Sequence, residues 1–255
     1  MTPFLLFTLY APLASWGEIA VGETRGSWDR PSRSAVLGLL AAAMGITRDE
    51  QDGHDALDEG YGLAVRLDSS GTSRVDYHTA QTAAEAEIRK AFGKGRPQTR
   101  RALLSVAERQ TIVSRREIRE DALATVAAWR TREDARWPLE MLKQALERPV
   151  FTLYAGRKGN AFGLPLGPRI VDATTLAGAF AQRPVAPMEI DLEPLRPRTG
   201  RWGREIAHDP LPQGITSGLN HVRTETRRDT SPNRGRWQFA ERVVTIGLLP
   251  EQVAP

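Results

Sequence analysis

The sequence predicts an α+β protein with a ferredoxin-like βαββαβ core, on three observations. Residues 3–10, PFLLFTLY, form a short apolar and aromatic run bounded by Pro3 and by Ala11-Pro12, which reads as a buried central strand. Within residues 25–46 a polar, arginine-bearing loop runs directly into a strongly apolar helix. Downstream, two strands, a strand, a helix and a strand give an order close to the split βαββαβ pattern once a basic stretch at about 81–115 is set aside as an inserted arm.

The helix after the loop has a capping serine, Ser32 or Ser34, and a buried face made by Val36, Leu37, Leu39, Leu40, Ala43 and Met44. Gly45 is placed to end it. Arg25, Arg30 and Arg33 crowd its N-terminal end, where a cation costs roughly 0.3–1 kcal/mol when exposed and a bound anion reverses the sign. Two readings follow: a phosphate seat of backbone N–H groups and guanidinium forks, or arginines paired with Glu18, Glu23 and Asp29. The tryptophans of the loop, Trp16 and Trp28, either stack a base or cover core, with core favoured for Trp16.

An acidic segment at 47–60 reads as a surface connection with room for a short helix. Residues 61–67 and 73–79, separated by Ser69-Ser70-Gly71, read as a hairpin. From Thr79 the alternation fades; Gly93, Gly95 and Pro97 mark a bend, and a flexible arm or extended hairpin fits better than the short helix that 83–92 would allow. Residues 108–119 and 122–129 are strand-like. Residues 134–148 read as a helix with Pro138 in its first turn and Leu139, Leu142 and Leu146 on one face. Residues 150–155 read as the last strand, followed by Gly156-Arg157-Lys158-Gly159-Asn160, a turn able to approach a phosphate closely or simply a glycine turn. The expected organisation is therefore a domain at 1–160 with its arm, then a smaller loop-rich β portion at 161–255 with strands near 188–192 and 242–248.

Charge is segregated. Residues 88–119 hold ten basic side chains against two acidic ones, a net of +8, and residues 196–242 hold ten arginines against five acids, a net of +5. The chain as a whole carries +4, so two basic tracts sit on an acidic body, the footprint of a polyanion partner. Only four lysines occur, and arginine binds phosphate in a fork and stacks on bases. There is no cysteine and no apolar run approaching a membrane span, so a cytoplasmic protein without membrane contact is expected.

Nucleotide-binding glycine motifs, zinc-protease and serine-hydrolase signatures are missing, and the four histidines lack ligand spacing, so neither a cofactor nor a metal is expected. His78, beside Tyr77 and Thr79 at the base of the arm, is either a polar strand-end residue or a base or nucleotide contact.

Read jointly, several blocks carry a resemblance. Leu9-Tyr10-Ala11-Pro12 with Ser15-Trp16-Gly17, Arg30-Pro31-Ser32-Arg33-Ser34 leading into Leu37-Gly38-Leu39-Leu40-Ala41-Ala42, and Asp76-Tyr77-His78-Thr79 come first. Arg116-Glu117-Ile118 with Asp121-Ala122, Arg148-Pro149, Leu153-Tyr154 and Gly156-Arg157-Lys158 follow in order. Over residues 3–160 this resembles the CasD subunit family of the type I-E CRISPR Cascade complex, in the repeat-associated RNA-binding superfamily; near the C-terminus only Arg228-Asp229 and residues 239–243 are similar. The resemblance implies an RRM-related core and a non-catalytic subunit that binds and caps the repeat-derived 5′ handle of the crRNA. It also implies partnership with the backbone and large subunits, contact with target DNA only through the complex, and a thumb laid on the RNA by the basic arm.

On that basis the RNA-binding residues expected are Arg25, Trp28, Arg30, Arg33 and Ser34 at the helix start, Tyr77, His78 and Thr79 at the arm base, and Lys94, Arg96, Arg100 and Arg101 on the arm. Arg115, Arg116, Tyr154, Arg157 and Lys158 complete the set. Gly159-Asn160 departs from the family, where a serine-cysteine follows the basic pair. The rival is a metal-independent endoribonuclease that processes CRISPR repeat RNA, as in related type I-C systems, with Tyr77, His78 and Lys158 as its centre.

Overall fold

The computed structural model describes residues 1–18, 20, 22–95, 97–106, 108–183, 203–233, 236 and 238–251. The chain begins with β1 (Thr2–Ala14), β2 (Trp16–Gly17), β3 (Thr24–Arg25), β4 (Ser27–Trp28), α1 (Arg33–Met44) and α2 (Gln51–Gly60). It continues through β5 (Tyr61–Ser69), β6 (Thr72–Ala83), α3 (Glu85–Phe92), α4 (Arg100–Leu104), β7 (Arg109–Arg130) and α5 (Leu139–Glu147). The last elements are β8 (Arg169–Ala173), α6 (Leu176–Ala181), β9 (Glu205–His208), β10 (Asn220–Asn233) and β11 (Gln238–Leu248). The protein is α+β, with one large sheet in the order β10-β11-β9-β5-β7-β1-β8, antiparallel along that path, to which β6 and β3 add through β7.

Alternation along the central strands sends side chains to two cores. Leu5, Phe7, Leu9 and Ala11 of β1 meet Ala122, Ala124, Val126 and Ala128 of β7 under α1, α2 and α5. Phe4, Leu6, Ala127 and Trp129 point the other way, where Leu176 and Phe180 of α6 cover them. A fully buried Arg66 crosses this second layer, bonded to Asp68 at 2.7 Å and Thr125 at 3.1 Å, so the charge is taken inside with its partners.

Helix α1 forms as its pattern requires: Ser32 Oγ accepts from the Ala35 N–H at 3.3 Å, and Gly45, at φ 79°, closes the other end. Pro138 lies one residue before α5, at its N-cap, where it takes away no helical hydrogen bond.

Several expectations change. The segments at 61–67 and 73–79 do not pair as a hairpin; β5 and β6 run end to end along the 22-residue β7. The Ser69-Ser70-Gly71 step is an irregularity in that path. Gly71, at φ 65°, passes so close that a Cβ there would stand 2.2 Å from the Glu120 carbonyl oxygen. The true hairpin is β6 with the outer half of β7, Thr72 opposite Glu120 through Ala83 opposite Arg109, and its tip carries α3 and α4.

The strand expected at 150–155 does not join the sheet. The Val150 and Phe151 N–H groups donate to Ala43 O and Ala42 O at the end of α1, and the edge of β1 is taken by β8 instead. The sheet also runs across residue 160: β8 pairs β1, and β9 pairs β5. The strand expected at 242–248 lies within β11, whereas the one at 188–192 lies outside the described residues.

Candidate nucleic-acid interface

A cleft of about 1330 Å³ opens beside α1. One wall is the glycine-punctuated loop with Trp16, Arg25 and Trp28; the floor is Ser34, Gly38 and Ala42 of α1. The lining also includes Arg116 of β7, Tyr154 and Arg157, and Arg228 and Phe239 of the β10–β11 hairpin. Arginines and aromatic rings around small side chains leave room for a nucleotide chain, with forks for phosphates and rings for bases.

Strand pairing creates this convergence. Short β3 adds in parallel to β7, setting Arg25 beside Arg116. The 156 turn is pressed against the first strand: Ser15 N donates to Ala155 O at 3.0 Å, and Gly156 is at φ 83° with a Cβ position only 1.8 Å from Ser15 O. The glycine is thus required by protein packing, and it presents Arg157 to the cleft.

Burial and the neighbouring charge of Arg116 lower the Arg157 guanidinium below its ordinary value, with Asp76 acting in the opposite sense. Both guanidinium groups line the cleft, and among the described residues neither forms an ion pair. Trp28 is half-buried, with the Arg227 guanidinium 4.9 Å from its ring centre.

Of the residues expected from sequence, Arg25, Trp28, Ser34, Arg116, Tyr154 and Arg157 meet at this cleft. Lys158 is exposed on the same turn as Arg157. Arg30 and Arg33 do not take part. Arg30 is buried against Asp29 at 2.9 Å and against Glu205, while Arg33 bonds Asp58, Asp209 and Tyr61 O. The start of α1 already holds an anion, because Asp229 accepts from the Arg33 N–H. The pairing alternative was therefore the right one for these two, although of the three acids weighed only Asp29 takes part.

Arg115 and Arg116, adjacent in a strand, face opposite sides. Arg116 shares its face with Asp76, and Arg115 shares the other with Tyr77, directly opposite it. Thr79 is exposed on the Tyr77 side, and His78 lies on the Asp76 side with its Nε2 bonded to that carboxylate. Tyr77 and His78 thus point apart and form no shared centre. Lys94, Arg100 and Arg101 are exposed near the tip of the arm, away from the cleft lining, and Arg96 lies outside the described residues. Sequence reasoning missed Arg228 as a cleft residue; its pairing with Asp229 in a block similar to the family was the available signal.

The architecture and the cleft define an α+β protein built on one large, mostly antiparallel sheet, with a cleft lined by arginines and aromatic rings. A solved chain titled "CRISPR RNA-guided surveillance complex" superposes with a TM-score of 0.62 over 98% of this chain and 92% of its own, at 20% identity. Another, titled "Crystal structure of Cas protein", matches with a TM-score of 0.56 over 99% and 97%, at 23% identity. The family model described as CRISPR-associated protein (Cas_Cas5) matches residues 4–245. The Cascade subunit CasD of Escherichia coli (strain K12) is 34% identical over 174 residues, covering 65% of this chain and 70% of that one. The chain belongs to the CRISPR-associated Cas5 family, and the resemblance to CasD is borne out.

Proposed function

We propose that this chain is a non-catalytic subunit of a type I-E CRISPR surveillance complex, Cascade, in which it binds and caps the repeat-derived 5′ handle of the crRNA. The observation that carries the reading is that Arg116 and Arg157 line one cleft: two like charges without a salt-bridging acid among the described residues suit a bound phosphate. Arg25 and Arg228 extend the cationic lining, and Trp28 and Tyr154 supply faces for unpaired bases. The β6–β7 arm, with Lys94, Arg100 and Arg101 near its tip, lies along the RNA as a thumb.

Within this reading the core is ferredoxin-like and RRM-related. The path β5-β7-β1-β8 has the 2-3-1-4 strand order of that fold, and α1 and α5 pack against one face of it. The RNA-binding unit expected at 1–160 thus takes its fourth strand from beyond that boundary. The partners are the crRNA handle, the backbone and large subunits, and target DNA through the assembled complex.

The test is to co-express the chain with its partner subunits and a CRISPR array, purify the assembly and sequence its RNA. Small RNAs sharing one repeat-derived 5′ end are expected, lost in an Arg116→Glu/Arg157→Glu double variant that still folds. Unchanged occupancy overturns the placement of the site. Repeat RNA incubated with the chain in EDTA is expected to stay intact; specific cleavage would establish the endoribonuclease instead.

A further inference from the structure

The arm brings one carboxylate to the edge of this cationic site. Asp76 stands directly across the β6–β7 ladder from Arg116, so the two side chains share a face, and its charge reaches Arg157. It forms no ion pair with either arginine among the described residues. Its partner is His78, whose Nε2 donates to Oδ2, while the described residues offer Oδ1 no hydrogen bond. The carboxylate is 50% exposed, held in place by a neighbour two residues along the same strand face.

A carboxylate here works against phosphate binding, since it cancels part of the field of Arg116 and Arg157. What it adds is an acceptor-only group beside a phosphate seat. Among the four bases, guanine alone places two adjacent donors, N1–H and N2–H, on its Watson–Crick edge. Uracil presents N3–H between two carbonyl oxygens, and adenine and cytosine each set an amino donor beside a ring acceptor.

Resting on the RNA-binding reading above, we propose that Asp76 is a specificity-determining residue: it reads an unpaired guanine whose neighbouring phosphate lies on Arg116 and Arg157. His78 is its positioning residue. The carboxylate gives up general affinity for RNA and gains discrimination, which separates it from the surrounding arginines.

The experiment uses the full chain and fluorescent octauridine, with a single guanosine placed at each position in turn and inosine, which lacks the 2-amino group, at the best one. Wild type binds the best guanosine octamer about tenfold more tightly than octauridine, with inosine in between. Asp76→Ala binds octauridine a few-fold more tightly than wild type, and its guanosine preference falls to about twofold or less. Asp76→Asn, equal in size and bearing an amide donor, also loses the preference for guanosine. Thermal midpoints equal to wild type keep these comparisons clean. RNA binding by wild type without base preference, or with a preference that survives both substitutions, overturns the role of Asp76 alone. No RNA binding by wild type overturns the functional reading, and this inference with it.

Discussion

The carboxylate of Asp229 accepts a 2.8 Å hydrogen bond from the backbone N–H of Arg33, 196 residues earlier in the chain. The same carboxylate receives Arg242 Nε at 2.6 Å, and Arg242 Nη1 reaches Asp209 at 2.6 Å. Asp209 in turn pairs Arg33 and accepts from the Leu63 N–H at 2.9 Å. The start of α1 is thereby fastened to strands at the far end of the sequence by buried, mutually paired charges.

Removing one member of that network leaves others buried and unpaired. Asp229→Ala is expected to cost about 3 kcal/mol, through loss of the Arg33 N–H acceptor and the Arg242 partner together. The urea midpoint at neutral pH measures it. A loss below about 1 kcal/mol would mean that water replaces the carboxylate without strain.

Gly156→Ala places a methyl group where Ser15 O already stands and forces an alanine into φ 83°. The turn must move, so a destabilisation of roughly 1–3 kcal/mol is expected together with weaker RNA binding, because Arg157 moves with it. Gly159→Ala serves as the control, since nothing lies within 4 Å of its Cβ position. Equal behaviour of the two variants would contradict the contact with Ser15.

Trp28→Ala and Tyr154→Ala are each expected to weaken RNA binding by about 1–3 kcal/mol if a base stacks on the ring. Arg116→Ala should instead lower the slope of log affinity against log salt by roughly 0.7, the signature of one lost phosphate contact on a single strand. Anisotropy titrations across a salt series separate the two classes of residue.

Asp29 carries a pH dependence with a definite sign. Burial by itself raises its pKa, but the Arg30 hydrogen bond and charge, with Arg227 and Arg119 behind them, outweigh burial and hold the carboxyl below its ordinary 3.8. The folded state therefore binds this proton less well than the unfolded chain. Its stabilising contribution is complete above the ordinary value and is lost as pH falls through the lower, folded one. Urea midpoints followed downward from about pH 5 should fall less steeply for Asp29→Asn than for wild type. Parallel curves would remove Asp29 from the account.

Local pattern carried the elements whose signal is local. β1 and α1 are apolar runs with clear boundaries, and Ser32 and Gly45 act at the ends of α1 where capping chemistry puts them. The basic arm was legible as charge without a core face, with an extended hairpin as one of its two forms, and β6 with β7 make that hairpin; the short helix set second there forms as well, as α3 near the tip. β10 escaped notice because an edge strand made largely of threonine, arginine and acidic residues, exposed along most of its length, has no hydrophobic period to read. The 150–155 segment has the composition of a strand, yet its first N–H groups are spent on the end of α1.

The sequence by itself determined the segregation of arginine into two tracts, a property of composition and order, and it determined the family through blocks that follow in the same order. Tertiary structure alone decided which arginines are free to act. Arg30 and Arg33 resemble Arg25 and Arg157 in sequence, all lying in polar loops or at their ends, but Glu205, Asp209 and Asp229 fold back onto the first two. Asp29 beside Arg30 was the one local sign; the carboxylates that complete each guanidinium's burial, Glu205 and Asp209, come from more than 170 residues away. The same holds for Arg115 and Arg116: their adjacency was plain, but only the pairing of β7 with β3 and β6 settled which of them faces the cleft.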